Sequence, residues 1–68
     1  MTNAERLIRA LYKLAEGQPG HWRMITSLGS AGTVGAIDTA MRAGWVEIEG
    51  GHSIRLTDAG RRKVKGGQ

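Results

Sequence analysis

Apolar residues recur with a helical period near the start of the chain and switch to alternation after residue 44, so two kinds of structure are written in sequence. In TNAERLIRALYKLAEG, Ala4, Leu7, Ile8, Leu11, Leu14 and Ala15 fall at the i, i+3, i+4, i+7 spacing of one buried face. Arg6, Arg9 and Lys13 collect on the opposite side. Thr2, three residues before Glu5, has the spacing of a capping box, and Gly17 followed by Gln18-Pro19-Gly20 ends the helix. HWRMITSLG is a shorter periodic stretch that predicts a two-turn helix, with Trp22, Ile25 and Leu28 or Met24 turned inward. SAGTVGAIDTAMRAG predicts a third helix over 30–43, capped by Ser30, with Val34, Ile37, Ala40 and Met41 as its apolar stripe and Gly44 just past its end. Gly32 and Gly35 each cost up to about 1 kcal/mol against alanine inside a helix, so something other than propensity must favour them there.

The alternating stretch follows. Trp45, Val46 and Ile48 on one side and Ile54 and Leu56 on the other flank Gly50-Gly51, a two-residue loop suited to a type I′ turn, so a β-hairpin is predicted. Thr57 or Asp58 then caps a last helix, DAGRRKVKGG, whose basic end suits the negative pole of the helix dipole. The reading is a mainly α chain with a small hairpin (α+β), in the order helix, helix, helix, hairpin, helix. It predicts one domain over 1–65 and a frayed tail over 66–68.

Composition narrows the chemistry. A chain of 68 residues buries only about 60% of the surface its unfolded form exposes, yet it has no cysteine, and His21 and His52 lie far apart without a ligand cluster. Neither a disulfide nor a zinc staple is expected, and no cofactor. Apolar runs fall far short of the roughly 18 residues of a membrane span, and the chain opens on a capped polar helix rather than a signal segment, so a cytoplasmic protein with no membrane partner is expected. Catalysis is excluded on similar grounds: no activated nucleophile is recognisable, and GSAGTVG matches neither Gly-rich phosphate motif and reads as a turn. Ten Lys and Arg against six Asp and Glu leave a net charge of +4. Such a balance favours a polyanionic partner, nucleic acid first.

The second and third predicted helices are joined by a short Gly-containing turn, and the third runs straight into the hairpin. The run TVGAIDTAMRAGWVEIEGGHSIRLTDAGRRKV resembles the core of the winged helix-turn-helix domains of bacterial regulators such as the MarR and PadR families. The resemblance rests on Gly44-Trp45-Val46 after the third helix, the hairpin around Gly50-Gly51, and Leu56-Thr57-Asp58-Ala59-Gly60-Arg61 opening the last helix. It covers residues 21 to 65, and the first helix extends it to nearly the whole chain.

That resemblance implies a non-catalytic protein that binds double-stranded DNA, a small transcriptional regulator or a phage or plasmid accessory factor. The helix over 30–43 would enter the major groove, with the wing over 45–57 against the backbone or the minor groove. On a helical wheel the side opposite Val34, Ile37 and Met41 presents Gly35, Ala36, Thr39, Arg42 and Ala43, of which Thr39 and Arg42 carry hydrogen-bonding groups for base edges or phosphates. Arg23, Ser30, Thr33, His52, Ser53 and Arg55 are the expected phosphate contacts around them, with the Arg6-Arg9-Lys13 stripe or Arg61-Arg62-Lys63 of the last helix as further candidates. Trp22 and Trp45 are expected in the core, since a domain this small with no Phe needs its indoles there. A helix face of Gly35, Ala36 and Thr39 also suits close approach of another protein, so a docking module is the alternative, with an RNA-binding domain behind it. The chain has no room for the long dimerisation helices of MarR-like regulators, and a monomer or weak homodimer is expected.

Overall fold

The N-terminal period becomes helix α1 (Asn3–Leu14), whose first turn is closed as its sequence predicts. The Glu5 N–H donates to the Thr2 hydroxyl (3.1 Å) and the Thr2 N–H donates to the Glu5 carboxylate (2.8 Å), a reciprocal capping box. The computed structural model describes residues 2–16 and 20–66. The chain leaves α1 through Glu16, which takes a left-handed φ of 55°. The expected stop at Gly17 and the Gln18-Pro19 turn lie outside the described residues.

The next stretch departs from expectation. Instead of a two-turn α-helix there is a two-residue strand, β1 (Arg23–Met24), and then a 3₁₀ segment (Ile25–Ala31) interrupted at Gly29, whose φ of 58° and ψ of −134° are not helical. Two residues cannot display a period, so β1 exists only because β3, described below, pairs with it. The Ile25 N–H extends the pairing by donating to the His52 carbonyl (2.9 Å). Ile25 and Leu28 do turn toward the core, but Trp22 and Met24 are 38% and 53% exposed.

Helix α2 (Val34–Arg42) starts later than the Ser30 cap predicts. Thr33 is the cap, its hydroxyl accepting from the Ala36 N–H (3.2 Å). Gly32 therefore precedes the helix and weakens nothing inside it. The C-terminal end is the predicted one. Gly44 adopts a φ of +77°, its N–H donates to the Met41 carbonyl (3.0 Å), and the Trp45 N–H reaches back to the Ala40 carbonyl (2.9 Å). Those paired bonds form a Schellman motif, which suits glycine at the left-handed position.

Strands β2 (Val46–Glu49) and β3 (Ser53–Leu56) form the predicted hairpin, and β1 adds to the other edge of β3, giving an antiparallel sheet in the order β1-β3-β2. Glu49 pairs with Ser53, so the loop holds Gly50, Gly51 and His52, one residue more than the two-residue expectation. Both glycines have positive φ, as the tight reversal requires. Helix α3 (Asp58–Gly66) closes the described chain and includes Gly66, while the remainder of the expected frayed tail lies outside the described residues. The architecture is thus mixed α+β, with one more strand than the hairpin alone supplies.

Leu7, Ile8 and Leu11 of α1 meet Ile54 and Leu56 of β3 at the centre, all fully buried, and Leu28, Ala36, Ala40 and Val46 complete the cluster. Burying each large aliphatic side chain contributes roughly 1.5–3 kcal/mol. Trp45 packs only partly against this core, and Trp22 lies outside it, so the expectation that both indoles fill the interior holds in part for Trp45 alone.

One joint ties the end of α2 to the sheet and to α3. The Thr57 N–H donates to the Trp45 carbonyl (3.0 Å), the Thr57 hydroxyl donates to the Gly44 carbonyl (2.6 Å), and the same hydroxyl accepts from the Gly60 N–H (3.0 Å). Gly60 is buried, and a Cβ there would collide with the Trp45 carbonyl oxygen and with Leu56 Cδ1. The Leu56-Thr57-x-x-Gly60 pattern is therefore a packing device: one side chain fills the core, one fastens three elements, and one leaves room for backbone.

Candidate nucleic-acid interface

The solvent-facing side of α2 carries Val34, Gly35, Asp38, Thr39, Met41 and Arg42. Of the residues expected there, Gly35, Thr39 and Arg42 are exposed, whereas Ala36 is 3% exposed and belongs to the core. The stripe expected inward is corrected in the same way, because Val34 is 84% and Met41 46% exposed while Ala40 is fully buried. The cause lies in the partner. The most extensive helix contact in the fold is between α2 and α1, and alanines at 36 and 40, one turn apart, let the backbones approach where valine and methionine would hold them off. Side-chain size, rather than hydrophobicity, decides which face turns in.

Arg42 extends from the last turn of α2 and pairs with Asp38 (3.0 Å), both side chains being well exposed. An exposed pair at this spacing contributes only about 0.3–0.5 kcal/mol, so Arg42 can exchange its carboxylate for a phosphate or base edge at small cost. Gly35 has open space where a Cβ would lie, and the helix backbone is approachable there.

The hairpin is more committed to its own contacts. Arg55, directly opposite Glu47 in the register, donates from Nε and Nη2 to the same carboxylate oxygen, and its guanidinium stacks 4.7 Å from the centre of the Trp22 ring. Trp22, Arg55 and Glu47 thus form a row across the outer side of the sheet. At the turn, His52 Nδ1 lies 3.0 Å from the Ser53 hydroxyl, and the imidazole folds over Gly50. Arg23 is exposed on β1, one strand away from the row.

Ser30 and Thr33, at the entry to α2, share a shallow notch with Asn3 and Arg6 of α1. This brings one member of the α1 basic stripe to the start of α2, while Arg9 and Lys13 lie further along α1. Asn3, Val34, Met41 and Trp22 are the surface residues at this site that the hydrophobic pattern did not pick out. A signal existed for α2: with glycine at 32 disfavouring helix, Thr33 is the better cap than Ser30, and a helix counted from Val34 turns Ala36 and Ala40 to one side.

Arg23, Arg42 and Arg55 on this side are matched by Asp38, Glu47 and Glu49, which leaves Arg6 at the notch as the excess cation. Away from this side, the Thr2 N–H, with a smaller contribution from Lys63, holds the Glu5 carboxyl below the usual carboxylate range. Among the described residues no group of three or more His, Asp or Glu is placed to hold a metal ion, and no helix is long and apolar enough to cross a membrane. Compared with protein-family models, with curated proteins and with solved structures, the chain has no match in any of the three.

Proposed function

We propose that this chain is a winged helix-turn-helix domain that binds double-stranded DNA without catalysis, as a small cytoplasmic transcriptional regulator or a phage or plasmid accessory factor. The observation that carries the reading is the connection of elements: α1, β1, a short helical segment and α2, then a hairpin whose second strand pairs back onto β1. In such an arrangement α2 projects from the body with the hairpin beside it. A helix about 10–12 Å across fits the roughly 12 Å major groove. Thr39 and Arg42 are the groups for base edges, and Gly35 allows the helix backbone to come close. Ser30, Thr33 and Arg23 serve the phosphates, with His52, Ser53 and Arg55 as the wing contribution. The small excess charge of this side, carried by Arg6, implies modest affinity and selectivity that leans on duplex shape.

The test is a titration of random-sequence duplex followed by amide shifts at about 50 mM and about 200 mM salt. Shifts centred on residues 33–42 and 49–55 that weaken steeply with salt are expected, with the chain acting as a monomer or weak homodimer. Their absence at the lower salt concentration rules the reading out.

The exposure of Val34 and Met41 on α2 favours a second reading, in which this helix docks on another protein. Val34→Lys separates the two. On the DNA reading it leaves duplex affinity equal or higher, and on the docking reading duplex produces no α2 shifts with either form.

A further inference from the structure

Most of the chain's excess charge is not on the side assigned to the groove. Because Arg23, Arg42 and Arg55 are balanced by Asp38, Glu47 and Glu49, the whole net charge of +4 belongs to α1, the residue Glu16 that follows it, and α3. Helix α3 alone carries Arg61, Arg62, Lys63 and Lys65 against Asp58. Asp58 sits in the first turn, where a carboxylate suits the positive pole of the helix dipole. Arg62, Lys63 and Lys65 are exposed, and Lys63 is the one that reaches α1, 3.5 Å from the Glu5 carboxylate.

The basic helix packs on α1 and begins at the joint where α2 ends, with Lys63 over Trp45. Glu5 points toward α3, whereas Asn3 and Arg6 border the start of α2. Helices α2 and α3 thus meet different residues of α1. They share no comparable contact with each other. None of the side chains assigned to a duplex lying along α2 and the hairpin belongs to α3.

The kind of partner follows from what accompanies the charge. Among the described residues, the large apolar side chains left most exposed are Trp22, Met24, Val34 and Met41, none of them on α1 or α3. A protein interface needs an apolar centre, whereas a phosphodiester backbone needs only cations that displace its counterions. We infer that α3, with the outer side of α1, is a second phosphate-backbone surface, so that one molecule holds two segments of duplex together. This rests on the proposed DNA reading of α2 and the hairpin, which supplies the first segment.

The experiment immobilises one random duplex on beads, saturates it with protein, and measures capture of a second, fluorescent duplex, while amide shifts monitor α2 and the hairpin separately. Capture by the unaltered chain is expected. Arg62→Glu with Lys65→Glu should reduce it at least tenfold, and Arg62→Gln with Lys65→Gln should lower the salt slope of capture by about 2. Both variants should keep the α2 shifts. No capture by the unaltered chain overturns the inference and leaves the groove reading intact. Capture that survives charge reversal overturns it in favour of self-association, and preferential binding of polyglutamate over duplex at α3 overturns it in favour of an acidic protein. Loss of the α2 shifts along with capture in the reversed variant overturns both readings, since α3 would then be the primary site.

Discussion

The joint where α2, β2 and α3 meet and the outward side of α2 lie a few residues apart, yet they are built on opposite principles. At the joint, Gly44, Trp45, Thr57 and Gly60 satisfy one another's backbone groups and leave no room for an added methyl group at residue 60. On the outward side, Val34, Gly35, Thr39 and Met41 are exposed, and Arg42 is held by a single exposed carboxylate. The first region spends its chemistry on specifying the fold. The second contributes little to it.

That contrast can be broken by substitution. The largest effect belongs to Gly60→Ala, because the new methyl group meets backbone as well as side chain. A loss of about 3 kcal/mol is expected, lowering Tm on the order of 15 °C for a domain of this size, as followed by circular dichroism. A Tm within two or so degrees of the original would remove the close approach as the reason for glycine. Thr57→Val comes next, since it keeps the shape but deletes the hydroxyl that serves Gly44 and Gly60. It should cost about 1–2 kcal/mol in denaturant unfolding.

Arg42→Ala tests the other region. Stability should stay within about 0.5 kcal/mol, while duplex affinity falls by roughly 1–3 kcal/mol if Arg42 reads a base edge. A stability loss comparable to that of Thr57→Val would erase the distinction between the two regions. The smallest effect is expected from acid, and it concerns the capping box, which belongs to neither. Glu5 has a folded-state pKa below its unfolded value, so its contribution is present above the ordinary carboxylate range and is lost as pH falls through the lowered value. The urea midpoint should fall slightly between neutral pH and about pH 3, and Glu5→Gln should flatten that part of the profile.

The close approach of Gly60 to the Trp45 carbonyl is a tertiary contact that only the fold reveals, but the rest of the joint was readable because its signals are local and chemical. A glycine after a helix, an alternating run and a threonine at a helix start each demand a particular backbone geometry. The capping box of α1 and the α1 stripe were readable for the same reason. The face of α2 was not, because its rotation is set by how closely α1 approaches, and small alanines outweigh the more hydrophobic Val34 and Met41 in that contact. Nor was β1, whose two residues are a strand only through their pairing with β3. Of the candidate interface, Arg42, Thr39 and Gly35 are exposed as the helical wheel predicts and Ala36 is not, and the engagement of Arg55 by Glu47 and Trp22 depends on strand register that the extra loop residue shifts.

The two tryptophans also give the molecule a built-in pair of optical reporters. Trp45 sits half-buried at the joint with Lys63 5.5 Å from its ring centre, and Trp22 lies on the outer side of the sheet beneath Arg55. Loosening of α3 from the sheet should change the emission of the first, and any ligand that draws Arg55 away should change the second. A Trp22→Phe chain and a Trp45→Phe chain would then separate unfolding from ligand engagement in the same cuvette, without any attached dye.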